Sequence, residues 1–353
     1  MRFPEFSGEW IESKLGDIAD FSKGAGISKD QRSEEGNPCI LYGELYTRYK
    51  SEVIANVFSK TALPDSELVK SKSNDIIIPA SGETAEDIAT ARCVPFDNIL
   101  LGGDLNIIRL HEQDGKFFSY QLNGVRKYDI ATVAQGVSVV HLHAGDLKGI
   151  TVKYPSHIAE QEKISQILGL IDDRIATQSK IIEEQETLLK SLADKLFLQN
   201  NHSCQLSELV NIEKGKQLNA DTLSETGDYY VMNGGITPSG YYSEYNVPAG
   251  AISISEGGNS CGYVQFNEKP FWSGGHCYSL QCRTNLVDYK YIYYYLKTKE
   301  SDVMALRIGS GLPNIQKKDI EKFTITYPSL QLQKQFVKSL DALSGKINTE
   351  KTC

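Results

Sequence analysis

Long apolar runs are missing from this chain. The longest are short pieces such as Ile76-Ile77-Ile78, far below the roughly 18 residues a membrane helix needs, which excludes a membrane span. The segment Met1 to Trp10 carries Glu5 and Glu9 and no apolar centre, so it does not read as a secretory signal. Cysteine is scarce: seven in 353 residues, an odd number with no Cys-x-x-Cys. That excludes a disulfide framework or a zinc ribbon and favours a reducing cytoplasm. Cys261, His276, Cys277 and Cys282 come nearest to a ligand cluster, but their spacing fits no zinc pattern, and buried thiols on strands account for them. No metal is expected. Positive charge is not in excess either. The net charge is −8, divided as −5 over residues 1–155, −3 over 156–200 and 0 over 201–353. No segment has the footprint of a basic nucleic-acid binder, so any DNA contact needs local basic faces and help from a partner.

Catalytic signatures are absent as well. There is no phosphate-binding loop of the Gly-x-x-x-x-Gly-Lys-Ser/Thr type. Gly24-Ala25-Gly26 and Gly309-Ser310-Gly311 lack the third glycine and the strand–turn–helix setting of a nucleotide fingerprint. No Asn/Asp-Pro-Pro-aromatic tetrapeptide and no Gly-x-Ser-x-Gly elbow occurs. Pro64-Asp65 with Glu67 and Lys70 is too compressed for nuclease carboxylates. His141 and His143 flank Leu142 on what reads as one face of a strand. The expectation is a chain that does no chemistry of its own.

What is present is ordinary globular material, 40% hydrophobic and 23% charged, at a length that suggests two domains. It is arranged twice. Leu15-Gly16-Asp17-Ile18-Ala19-Asp20-Phe21-Ser22-Lys23-Gly24 aligns with Leu206-Ser207-Glu208-Leu209-Val210-Asn211-Ile212-Glu213-Lys214-Gly215. Gly102-Gly103 aligns with Gly274-Gly275, and Lys116–Leu122 with Lys290–Leu296. Asp146-Leu147 and Tyr154-Pro155-Ser156 align with Asp319-Ile320 and Tyr327-Pro328-Ser329. The order is the same in both copies, as in a duplicated domain with diverged loops. Short alternating strands such as Ala251–Ser255 and Phe323–Thr326 dominate each copy, with one helix near Lys116–Val125 and its counterpart near Tyr289–Lys299.

After each Tyr-Pro-Ser the pattern changes. Ile164, Leu168, Ile171, Ile175, Gln178, Ile182, Gln185, Leu189, Leu192 and Leu196 follow one another at alternating steps of four and three. That is a heptad seam, narrower than the stripe of an ordinary surface helix. Phe336, Leu340, Leu343 and Ile347 repeat its opening after the second Tyr-Pro-Ser. A helix from about Ala159 to Leu198 is on the order of 60 Å long. The plan is α+β. Residues 1–155 form a first globular domain, 156–200 a spacer helix, 201–329 a second domain and 330–353 a shorter helix. Nothing in the second helix matches Ser179 to Asn200. In an antiparallel pair, that leaves the seam around Ile164 to Ile175 for another chain to cover.

These features resemble the specificity (S) subunit of type I restriction–modification systems over nearly the whole chain. The resemblance rests on the twin openings Leu15–Gly24 and Leu206–Gly215. It rests also on Gly309-Ser310-Gly311-Leu312-Pro313-Asn314-Ile315 leading to Asp319-Ile320 and Tyr327-Pro328, and on Glu160-Gln161-Glu162-Lys163-Ile164 opening the heptad helix. The first copy departs from the glycine loop, reading Gly136-Val137-Ser138-Val139-Val140-His141-Leu142. The resemblance implies two target recognition domains, each reading half of a split DNA sequence, and helices forming an antiparallel coiled coil that sets the gap. It implies two modification subunits that methylate adenine with S-adenosylmethionine, and restriction subunits that use ATP and Mg, with no cofactor on this chain. A non-DNA tandem scaffold, or the specificity subunit of a fused restriction–methylation enzyme, are the alternatives.

Base reading calls for side chains with paired hydrogen-bonding groups, and phosphate anchoring for Lys, Arg, Ser or Thr. Loops that mix these types near glycines nominate Lys23, Lys29, Arg48, Tyr49, Lys50, Ser81, Glu83 and Thr84 in the first copy. In the second they nominate Lys214, Lys216, Gln217, Asn233, Tyr241, Tyr242, Glu256, Asn259 and His276. Lys23 and Lys214 hold matching positions, which suggests a shared duty such as a phosphate contact. Tyr291, Tyr293, Tyr294 and Tyr295 crowd one predicted helix, either as a stacking platform or as rings packed on the sheet.

Overall fold

The computed structural model describes residues 3–64, 66, 68–136, 139–198, 202–309 and 311–352. Asp65 and Glu67 of the compressed acidic motif, Val137, Ser138 and Ser310 of the two loops, and the terminal Cys353 lie outside the described residues. The chain divides into two compact units, Met1–Thr177 and Gln178–Cys353.

In the first unit the main sheet contains β1 (Ala19–Lys23), β2 (Asp75–Pro79), β3 (Arg92–Val94) and β4 (Leu105–Leu110), in the order β1-β4-β2-β3, all antiparallel. Ile76, Ile78 and Ile108 are fully buried on it beneath helix α1 (Gly115–Asn123), whose Phe117, Phe118 and Leu122 complete that core. Asp114 caps α1 by accepting from the Lys116 and Phe117 amides, so the helix starts one residue before the sequence reading placed it. A single 40-residue helix, α2 (Ile158–Phe197), then runs on into the second unit.

The second unit repeats the plan. Its sheet contains β5 (Val210–Lys214), β6 (Ala251–Ser255), β7 (Val264–Asn267) and β8 (Cys277–Cys282), in the order β5-β8-β6-β7, again antiparallel throughout. Helix α3 (Tyr289–Thr298) replaces α1, capped by Asp288 in the same manner. Helix α4 (Leu330–Thr352) ends the chain. Each unit also closes on itself through a short antiparallel pair, Trp10–Lys14 with Thr151–Pro155 and His202–Gln205 with Thr324–Tyr327. Even the odd loop obeys the duplication. Gln135 and His141 exchange both backbone hydrogen bonds, as Ile308 and Asn314 do, so the hairpin survives where its sequence diverged.

The glycines shared by the copies have a steric cause. A Cβ on Gly24 would lie 1.9 Å from the Gly102 carbonyl oxygen, and one on Gly215 would lie 2.2 Å from that of Gly274. Only glycine permits this crossing of backbones. The clustered tyrosines are packing residues: Tyr291, Tyr294 and Tyr295 are buried, and Phe197 stands edge-on to Tyr291 and Tyr295. That removes the stacking platform from consideration for those three rings.

Within the second unit, the later half of α2 and α4 run antiparallel. Gln178 donates to the Glu350 carboxylate, and Lys351 lies 2.6 Å from Glu186. At the other end Ala193 and Phe197 share a core with Phe336 and Leu340, flanked by Leu189, Leu192 and Leu196. Ile347 is buried, while Ile182 and Leu343 are half-buried. In the first unit the seam behaves differently. Ile164 packs against that unit's own core and Leu168 is half-buried. Ile171 is 49% exposed and Ile175 59%. The expectation that the whole stretch from Ile164 awaits another chain is therefore corrected at its start.

Candidate nucleic-acid interface

Each candidate surface is built where a strand of the main sheet runs into a glycine turn. In the first unit, Lys23 ends β1 exposed, paired across the ladder with the buried Asn106. The chain then turns at Gly24 into the wall of a cleft of about 840 Å³. Three of the nominated residues, Lys29, Arg48 and Glu83, line it, and Lys23, Lys50, Ser81 and Thr84 do not. Ser81 is buried and pairs with His141, and Thr84 caps the following helical turn by accepting from the Asp87 amide. Tyr49 is corrected from surface reader to core residue. It is only 4% exposed, its ring lies 5.3 Å from that of Phe58, and burial pushes its phenol up to about 12.

The organising group of this cleft is one the sequence reading passed over. Glu44 is buried, accepts from the Leu41 amide and the Ser59 hydroxyl, and holds Arg48 Nη1 at 3.1 Å. Arg32 Nη1 lies 3.9 Å from the same carboxylate oxygen. The i, i+4 spacing of Glu44 and Arg48 was a readable signal of this pair. Ser59 was not, because it comes from a separate element, the strand Ser59–Thr61.

The second unit uses the same device at a different address. Glu256 is buried, which corrects its assignment as a base reader, and it organises the exposed groups around it. Lys214 Nζ donates to its Oε1 at 2.6 Å, and the Tyr278 hydroxyl donates to the same oxygen at 3.0 Å. Its Oε2 has no hydrogen-bond partner among the described residues, and His276 Nδ1 stands 3.6 Å away. Burial, reinforced by the adjacent carboxylate, raises the Tyr278 phenol far above its ordinary value. Asn233 Oδ1 accepts from the His276 amide. The Lys216 carbonyl accepts from the Trp272 indole, whose ring meets Tyr242 edge-on at 5.1 Å. Gln217 lies against Gly275. Lys214, His276 and Asn233 are thus gathered around the buried Glu256, and Lys216 and Tyr242 around Trp272. Tyr241 pairs with Tyr230, and Asn259 is exposed in the loop after Glu256.

The matched lysines have diverged. The register of the hairpins, Ser81 opposite His141 and Gly257 opposite Asn314, aligns Ser81 with Gly257 and Ala80 with Glu256. Lys23 therefore lacks the buried carboxylate that engages Lys214, and an identical duty for the two is not what the local chemistry supports.

Each unit also holds a latch that sequence reasoning missed. Gln161 accepts from the Asp114 amide at 3.0 Å and donates to the Pro155 carbonyl at 2.8 Å. Gln333 accepts from the Asp288 amide at 2.7 Å and donates to the Pro328 carbonyl at 2.8 Å. Both amides are buried, at 2% and 0% exposure. Each ties the start of a spacer helix to the cap of the helix under the sheet. The signal lay in the glutamine that follows each Tyr-Pro.

The sequence profile of the type I restriction modification DNA specificity domain matches this chain over residues 7–187 and again over 200–352. A Mycoplasma genitalium protein described as a type I specificity subunit is 27% identical over 263 residues, 70% of this chain and 68% of that protein. A similarly described Mycoplasma pneumoniae protein is 33% identical over 144 residues, 40% of this chain and 38% of its own. The crystal structure of a type I restriction–modification S subunit from M. genitalium superposes with a TM-score of 0.74 at 22% identity, covering 100% of this chain and 94% of that one. With the profile matched once by each copy of the repeated fold, the chain belongs to the type I restriction modification DNA specificity family.

Proposed function

We propose that this chain is the DNA-recognition subunit of a type I restriction–modification complex, with residues 1–155 and 201–329 as its target recognition domains. Residues 156–200 and 330–353 are the spacer helices. Each domain reads one half of a bipartite target, and the antiparallel helices set the unread gap. The chain does no chemistry itself. Modification subunits carrying S-adenosylmethionine methylate an adenine in the target, and restriction subunits using ATP and Mg act on unmodified DNA. The observation that carries this reading is the duplication: the same sheet order, the same capped helix and the same glutamine latch occur twice. A split target needs two similar reading surfaces on one chain. The acidic balance of −8 fits a subunit whose partners supply much of the phosphate neutralisation.

The test is methylome sequencing of cells with and without this chain, its modification subunit being present in both. The expected result is a bipartite adenine motif that disappears with the chain. A methylation pattern unaffected by its removal contradicts the proposal.

A further inference from the structure

We propose that Arg48 reads a guanine in the half-site recognised by the first unit, an assignment that rests on the specificity reading above and adds a residue to it. A guanidinium reads guanine when its plane is fixed and two parallel N–H groups face O6 and N7. Arg48 has the fixed plane and an open N–H edge with which to do so. Its Nη1 is anchored to Glu44 Oε1 at 3.1 Å and to Ser59 Oγ at 3.3 Å. Its guanidinium carbon lies 4.9 Å from the Phe58 ring centroid, which sets the plane from the side. Glu44 cannot swing away, because it is buried and accepts from the Leu41 amide. The side chain is still 43% exposed. Among the described residues neither Nε nor Nη2 meets a protein acceptor, so the opposite edge of the fork is open.

The surrounding charge argues for a base rather than a phosphate. The cleft walls carry three basic side chains, Lys29, Arg32 and Arg48, against four acidic ones, Asp30, Glu44, Glu83 and Asp104. A phosphodiester entering it meets net negative charge. A base edge, with donors and acceptors side by side, meets both of its complements. An arginine fork binds phosphate bidentately as well, so it is this charge balance that favours a base. The ordering cost of this arginine is met by the fold before DNA arrives.

The test co-expresses the wild-type chain, Arg48→Ala or Arg48→Met with the modification subunits. It reads the methylated motif and the affinity of each complex for duplexes altered one base at a time. The expected result is that one guanine of the first half-site becomes degenerate in both variants. Discrimination at that base should fall by roughly 5- to 150-fold, with the second half-site read as before. Retention of the second half-site reports a folded, assembled complex. Arg48→Met keeps the apolar stem beside Phe58 should Arg48→Ala fail to assemble. Full guanine selectivity in either variant overturns the assignment, because neither side chain can donate to O6 or N7. So does an unchanged motif, a uniform loss of affinity for all sequences, or a wild-type half-site without guanine on either strand. Failure of the wild-type complex to give any bipartite motif sinks the specificity reading instead.

Discussion

At the scale of single residues, the two units are held by buried polar groups more than their sequence suggests. Gln161 and Gln333 each satisfy a backbone amide and a backbone carbonyl in sites closed to water. Replacing either by leucine keeps the volume and strands both partners. At about 1–3 kcal/mol for each buried group left unpaired, the cost is roughly 2–6 kcal/mol. Thermal melts should show Gln161→Leu lowering the stability of the first unit and Gln333→Leu that of the second. A melting curve unchanged by both would mean that the latches carry no load. These positions were hard to read because a glutamine on a charged helix resembles a solvated one. The same obscurity hid Glu44, while the glycines at 24 and 215 were visible because both copies keep them. Tyr49 misled for the opposite reason: between Arg48 and Lys50 it looks like a loop residue, yet its ring turns inward.

At the scale of elements, the heptad seam was legible almost to the residue, since α2 runs Ile158–Phe197 against an expected 159–198. What periodicity could not give was which neighbour each part of the seam meets. From Ala193 to Phe197 it enters the core of the second unit. At Ile164 it meets the first. Between them, Leu170 is 63% exposed and Ile171 49%. Exposed large apolar groups on successive positions of a helix are a docking feature more than a solvent one. We propose that this stretch is covered in the complex by a modification subunit, a second copy of this chain being the alternative. Leu170→Glu with Ile171→Glu should then weaken co-purification of that subunit by at least ten-fold in apparent affinity, with the melting temperature of the isolated chain unchanged. Undiminished co-purification would place the docking surface elsewhere.

At the scale of the whole molecule, charge decides how the reading surfaces can work. The sum is −8, and residues 1–155 carry −5 of it while 201–353 are balanced. Affinity for duplex DNA falls with salt at a slope of about 0.9 per neutralised phosphate. A chain whose cations are partly spent on its own carboxylates, as Lys214 is on Glu256 and Arg32 and Arg48 are on Glu44, has few left for phosphates. The isolated chain should therefore bind DNA weakly and with a shallow salt dependence. Adding the modification subunits should steepen the slope by several phosphates and raise the affinity together with it. Fluorescence anisotropy of a labelled duplex between about 50 and 200 mM salt, the range over which such slopes are resolved, measures both. The second unit, with Lys216 and His276 exposed on a balanced background, should contribute more of the isolated chain's slope than the first. Substituting Lys216 should lower that slope by about one, and substituting Lys29 in the acidic cleft should lower it by less. If the isolated chain already shows the full slope of the complex, its own surface supplies the phosphate contacts, and the division of labour between base reading and backbone binding drawn from its charge is wrong.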